Sequence, residues 1–181
     1  INILREKASS GNYIYEFVIN YYLSRKLKTN SFDQILEKFE DENIKYNLRA
    51  VYEEDNNYIE QFNNLKDFAL DEIIEIIGEL SEYAGRRGGG ENTTVKSIID
   101  LSLELLSLDK EDRLLDVGSG IGTTLLEASK ISSISGIEIN PKNYMLSCIL
   151  LDLFDLSVEK MMHKDVFTYD LKKFNANKVF M

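Results

Sequence analysis

Residues 114–130, LLDVGSGIGTTLLEASK, place Gly118, Gly120 and Gly122 at alternate positions between two apolar runs, directly after Asp116 and Val117. Glycine loses more conformational freedom on folding than any other residue, so three within five positions need a structural cause. One such cause is a turn that a ligand approaches closely; tight packing of a strand-to-helix turn is the other. The flanks fix the context. DRLLDV reads as a short buried strand, TTLLEASK as a helix and SISGIEI as a second strand. NPKNYMLSCILLDLFDL follows as a helix with Asn140 as its cap and Pro141 at its first position. VEKMMHKDV reads as a third strand and turn, and NKVFM opens a fourth. Strands alternating with helices of this length predict an α/β fold, a parallel sheet with crossover helices.

The preceding part reads as helices. NYIYEFVINYYLSRKL spaces Tyr13, Phe17 and Tyr21 four residues apart with Ile14 and Val18 beside them, an apolar packing stripe. SFDQILEKFEDENI predicts a second, shorter helix, and the amide-rich EEDNNYIEQFNN a loop or frayed connection. LDEIIEIIGELSEYA resumes the helical period with Ile73, Ile74, Ile76 and Ile77 facing inward. GRRGGGENTT breaks the pattern, and TVKSIIDLSLELLSL is an amphipathic helix beyond it. The expected organisation is a helical region over 1–84 and an α/β domain over 85–181.

Charge separates the same halves. Residues 1–112 carry thirteen Lys/Arg against twenty-three Asp/Glu, which is the whole net charge of −10; from Arg113 onward the count is eight against eight. An acidic front half repels phosphate backbones, so alone it is a poor nucleic-acid surface, although it suits a basic partner protein. No stretch has membrane-spanning length and the N-terminus lacks a signal-peptide core. The sole cysteine, Cys148, has no partner for an internal disulfide, which fits a reducing, cytoplasmic setting. His163, the only histidine, has no cysteine near it and makes no metal site; it reads as a surface or hinge residue.

Three nucleotide-binding loops compete for DVGSGIG. A phosphate-binding P-loop ends in Gly-Lys-Ser/Thr, but Gly122 is followed by Thr123 with no lysine near. A dinucleotide fingerprint needs a third glycine where Thr123 stands. The remaining pattern, Asp-x-Gly-x-Gly-x-Gly, resembles the first motif of S-adenosylmethionine-dependent methyltransferases. That resemblance implies a Rossmann-like methyltransferase fold and S-adenosyl-L-methionine as cofactor. It places Gly118, Ser119, Gly120 and Gly122 in the loop around the methionine portion, with Asp116 pairing with the cofactor's amino group. Glu138, closing the second strand, is placed to accept from both ribose hydroxyls, the alternative being a solvated turn residue. Ile139 would offer an apolar contact to the adenine face, with Tyr144 as a weaker candidate. Asp165, at the end of the third strand, is placed either to accept from the adenine amine or to cap a helix.

The stretch GENTTVKSIIDLSLELL, residues 90–106, resembles the Gly-Glu-Phe-Tyr-Thr-Pro segment before the glycine loop of adenine-specific DNA methylases. It is most similar to the methylation subunits of type I restriction–modification systems. Gly90, Glu91 and Thr94 match; Asn92-Thr93 replace Phe-Tyr and Val95 replaces Pro. The resemblance implies that Glu91 and Thr94 belong to the cofactor site, with Thr94 at a helix start contacting the cofactor carboxylate. The family's first motif reads Asp-Pro-x-Cys-Gly-(Ser/Thr)-Gly, whereas Asp116-Val117-Gly118-Ser119-Gly120 is the generic version. Other acceptors (RNA, protein or a small molecule) and a non-catalytic methyltransferase-like partner therefore stay open.

Adenine methylases grip the flipped base with Asn-Pro-Pro-Phe/Tyr after the fourth strand. The only proline here is Pro141, at a helix start. The expectation is a cofactor-binding half without catalytic residues of its own. DNA would be reached through the complete protein, in an assembly with specificity and restriction subunits.

Overall fold

The computed structural model describes residues 12–54, 56–85 and 93–181. The chain divides into two compact units, Ile1–Ala69 with Leu80–Glu91, and Leu70–Glu79 with Asn92–Met181.

In the first unit α1 (Tyr13–Lys26) is followed by α2 (Phe32–Glu37), α3 (Glu42–Glu54) and α4 (Asn56–Asn63). The α1 stripe is buried as its spacing implies, but Ile19, Tyr22 and Leu23 are buried too, so α1 is covered on nearly every side. Where one helix was expected over 31–44 there are two. Ser31 and Gln34 form a reciprocal capping box at the start of α2. Asp41 then caps a new helix, its Oδ1 accepting from the amides of Asn43 and Ile44 at 2.8 and 3.2 Å. The amide-rich stretch expected as a loop is helical: α4 buries Tyr58, Ile59 and Phe62, and this packing outweighs its polar composition.

The second unit takes the first part of α5 (Leu70–Gly85), then α6 (Lys96–Leu106). Ile73, Ile74 and Ile77 are buried as expected, while Ile76 is only half-buried. Beyond α6 run β1 (Arg113–Val117), α7 (Thr123–Ala128), β2 (Ser133–Glu138), α8 (Pro141–Leu153), β3 (Lys160–His163) and β4 (Lys178–Phe180). The four strands form one parallel sheet in the order β3-β2-β1-β4. The fold is α/β, with a helical region ahead of it.

β1 is central and buried because Leu114, Leu115 and Val117 leave it no solvent face. Leu115 and Val117 join Ile137 and Phe174 in a cluster on one face; by the period of two, Leu114 and Asp116 point to the other. The chain passes from β1 through β2 to β3 on one side, and β4 returns to β1's opposite edge. The crevice at the carboxyl ends of β1 and β4 is thus a topological switch point, where open α/β sheets bind ligands. Asn177 fixes that return: its Oδ1 accepts from the Arg113 amide and its Nδ2 donates to Asp112, both at 2.8 Å.

Candidate functional site

The carboxyl ends of β1, β2 and β3 lie side by side. Gly136 pairs with Asp116, Ile137 with Val117, and Glu138 with His163. The loop leaving β1 turns back against β2, where the amides of Gly118 and Ser119 both donate to the Ile137 carbonyl, at 2.9 and 3.1 Å. The next amide, Gly120, donates to Glu138 Oε2 at 2.7 Å, and the Asn140 amide donates to the other oxygen, Oε1, at 2.7 Å. One buried carboxylate thereby ties the glycine loop to the turn after β2. Each oxygen keeps a second acceptor direction.

The three loop glycines all have positive φ, 75° at Gly118, 55° at Gly120 and 85° at Gly122, a region other residues enter only under strain. Their surroundings differ. A Cβ on Gly118 or Gly120 would meet open space, so bare backbone borders the crevice there. On Gly122 it would press on the buried Ser147 side chain, so this glycine serves the packing of α7 on α8. Packing accounts for Gly122, while Gly118 and Gly120 leave room for a close approach.

Asp116 is 2% exposed at the end of β1. Burial pushes its carboxyl up to about 7, and the negative charge of Glu138 adds to the rise. A cation brought beside such a group would favour its ionised form. The Ser119 hydroxyl is buried beside it in the loop with no hydrogen-bond partner among the described residues.

Past the end of β2, Ile139 is 62% exposed. His163 is exposed; its Nε2 lies 3.1 Å from the Ile139 carbonyl and its ring stacks on Tyr144 at 5.3 Å. Asp165 caps the short turn after β3, Oδ1 accepting from the Phe167 amide at 2.9 Å. One of its oxygens is thus committed to the capping role weighed against adenine binding. Thr94 differs from expectation: α6 begins at Lys96 with Val95 as its N-cap, so exposed Thr94 lies ahead of the helix rather than at its start. Glu91 lies outside the described residues, as does Gly90.

Two residues were not singled out from sequence. Gly136 sits mid-strand in β2, where a Cβ would come 2.6 Å from Met161 Sδ, 2.8 Å from Leu125 Cδ1 and 3.2 Å from Ser119 Oγ. The glycine inside SISGIEI was the available signal, since a strand glycine often marks a close approach. Phe167 is 95% exposed two residues after Asp165, and nothing in its local pattern distinguishes it. No group of three or more His, Cys, Asp or Glu residues among the described residues could hold a metal ion, and no helix among them is long and apolar enough to cross a membrane.

No family model matches the chain, and comparison with curated proteins returns no relative. Solved structures do resemble it. An RNA methyltransferase from Salinibacter ruber in complex with S-adenosyl-L-homocysteine is 30% identical over 49% of this chain and 58% of that one, with a TM-score of 0.42. A modification subunit ascribed to a type I restriction enzyme from Vibrio vulnificus is 19% identical over 64% of this chain and 28% of that one, TM-score 0.49. A tRNA (m1A58) methyltransferase from Aquifex aeolicus is 22% identical over 44% and 33%, TM-score 0.41. The chain thus spans between 28% and 58% of the length of these three structures.

Proposed function

We propose that this chain binds S-adenosyl-L-methionine at the carboxyl ends of β1–β3, as the cofactor-binding portion of an adenine-specific DNA methyltransferase of the type I modification kind. The observation that carries the cofactor is the Glu138 carboxylate, buried and held by the Gly120 and Asn140 amides. Its remaining acceptor directions suit a vicinal diol, with bare backbone at Gly118 and Gly120 and the elevated Asp116 carboxyl on the amino-acid side. Ile139 supplies an apolar contact for the base, and Asp165 has one oxygen left for its amine. The bound cofactor supplies an electrophilic methyl group; the residues of this chain bind and orient it.

The DNA-adenine assignment rests on the match of Gly90, Glu91 and Thr94 to the segment before the glycine loop. The 181 residues contain no Asn-Pro-Pro-Phe/Tyr, so we assign the gripping of the flipped adenine to residues outside them. The generic glycine loop favours a second reading, transfer to RNA, protein or a small molecule. Calorimetric titration with S-adenosylmethionine, S-adenosylhomocysteine and NAD tests the cofactor. Binding of NAD and of neither methyl-donor compound overturns it. Labelled methyl transfer to unmethylated DNA by the parent protein with its specificity partner tests the acceptor.

A further inference from the structure

Glu127 on α7 is a buried carboxylate, 5% exposed, outside the crevice residues described above. Its Oε2 accepts from Lys130 Nζ, and Lys130 also pairs with Asp71 on α5. Its Oε1 takes no hydrogen bond among the described residues; the charge it meets is Lys96 Nζ, at 3.2 Å. Lys96 is the first residue of α6, and its Nζ also donates to Asp100 one turn on, at 2.9 and 3.0 Å. Desolvation offsets most of a buried pair's attraction, so stability alone is a poor account of it; what the pair fixes is the better one.

What it fixes is the start of α6. Val95 stands at the capping position and offers no side-chain acceptor, so the first turn is not held by a cap of its own. The other end of α6 is fixed separately: the Leu106 carbonyl accepts from Lys178 Nζ at 2.8 Å, at the amino end of β4. Lys178 pairs with Leu114, so by the period of two it lies on the face of the sheet that carries Leu114 and Asp116. α6 therefore lies on that face beside α7, its last turn at the foot of β4. Its 11 residues span about 16 Å and bring its first turn to the carboxyl-end side of β1 and β4. The glycine loop leading into α7 borders the same half of the crevice, whereas β3 and Asp165 border the other. We propose that Glu127 is a positioning residue for the cofactor: through Lys96 it holds the first turn of α6 against α7, and so shapes the half of the crevice that takes the amino-acid end of the ligand. The role rests on the cofactor reading above. It leaves the nucleoside end, bordered by Glu138, Ile139 and Asp165, independent of the pair.

The test is calorimetric titration of the 181-residue chain, Lys96→Met, Glu127→Gln and the double variant with two ligands. One is S-adenosylhomocysteine; the other is methylthioadenosine, which keeps the nucleoside and the sulfur but has no amino-acid end. Lys96→Met retains an unbranched side chain and leaves Glu127 paired with Lys130, so it carries the test if Glu127→Gln does not fold; melting curves check both. Each single variant should bind S-adenosylhomocysteine about fivefold or more weakly and methylthioadenosine within about twofold of the parent. The double variant should be no weaker than the worse single one, because both remove the same contact. Equal losses for the two ligands would reveal a general loosening of the fold and overturn the role. So would an unchanged S-adenosylhomocysteine affinity in Lys96→Met, or losses that add in the double variant. A parent chain that binds neither ligand gives a different result: it overturns the cofactor reading itself, and the role with it.

Discussion

Replacing Asp116 by Asn should stabilise the unliganded protein and weaken its ligand binding at once. Burial and Glu138 raise the Asp116 carboxyl from 3.8 to about 7. Each tenfold change in a group's acidity corresponds to about 1.4 kcal/mol, so the ionised group destabilises the fold by at most about 4 kcal/mol. The sign follows from proton binding. Between the unfolded value near 3.8 and the folded value near 7, the native state holds more protons than the unfolded state. Stability therefore falls as pH rises through that window and levels off above it. Asn cannot ionise, so Asp116→Asn should be more stable than the parent by about 1–3 kcal/mol at pH 8, the remainder being lost to desolvation of the amide. Near pH 4.5, where the folded parent is protonated and only about 1 of the 4 kcal/mol is already lost to ionisation of the unfolded chain, the variant's advantage should be smaller than at pH 8 by about 3 kcal/mol. Urea denaturation of both proteins at the two pH values gives the double difference, in which other titrating groups cancel. An advantage independent of pH, or a variant less stable at pH 8, refutes the reasoning. The ligand side moves oppositely. If Asp116 meets a cationic amino group, its ionised fraction rises from about a tenth at pH 6 to about nine-tenths at pH 8, and S-adenosylhomocysteine affinity should rise about tenfold over that range. In Asp116→Asn that dependence should vanish and affinity should fall about tenfold or more.

Gly122→Ala should lower stability by about 2–4 kcal/mol, through a φ of 85° and a Cβ forced against Ser147, and Ser147→Ala should recover part of the loss by thermal melting. Gly120→Ala, with open space around its Cβ, should cost about 1–2 kcal/mol for its positive φ alone and show its larger effect in cofactor titration. Glu138→Gln retains one acceptor but turns an NH₂ toward one of the two backbone amides, so loop and cofactor affinity should both suffer, by about 1.5–3 kcal/mol in denaturant melts and calorimetry. Glu127→Ala removes the buried partner that Lys96 and Lys130 share and should cost more than Asp100→Ala, whose exposed pair with Lys96 is worth about 0–1 kcal/mol.

What was legible in the sequence was whatever its own neighbours determine. Asn140 and Pro141 announce a helix start, and the Asn140 side chain does accept from the Lys142 and Asn143 amides at 2.9 and 3.2 Å. The strands carry their burial in their composition, and the glycines carry their backbone angles. The misread elements depend on distant partners. In α4, Tyr58, Ile59 and Phe62 do follow a helical period, but Glu60 and Gln61 between them and the flanking asparagines mask it, and packing against α1, where Phe62 meets Phe17, makes the segment helical. The Asp41 cap was readable in principle, yet it lies inside a continuous charged run that also looks like helix surface. Gly136 illustrates the same limit: its three close neighbours come from the loop, from α7 and from β3, and no window of sequence holds them together. The candidate site divides along this line. That Asp116 and Glu138 end adjacent strands follows from spacing. That one carboxylate is fixed by two amides while the other is driven toward neutrality follows from burial and from a separation of 22 residues closed by the parallel pairing. The two acids look equivalent in sequence, and the fold gives them different surroundings: Glu138 accepts from the amides of the glycine loop and of the turn after β2, while burial beside Glu138 raises the Asp116 carboxyl.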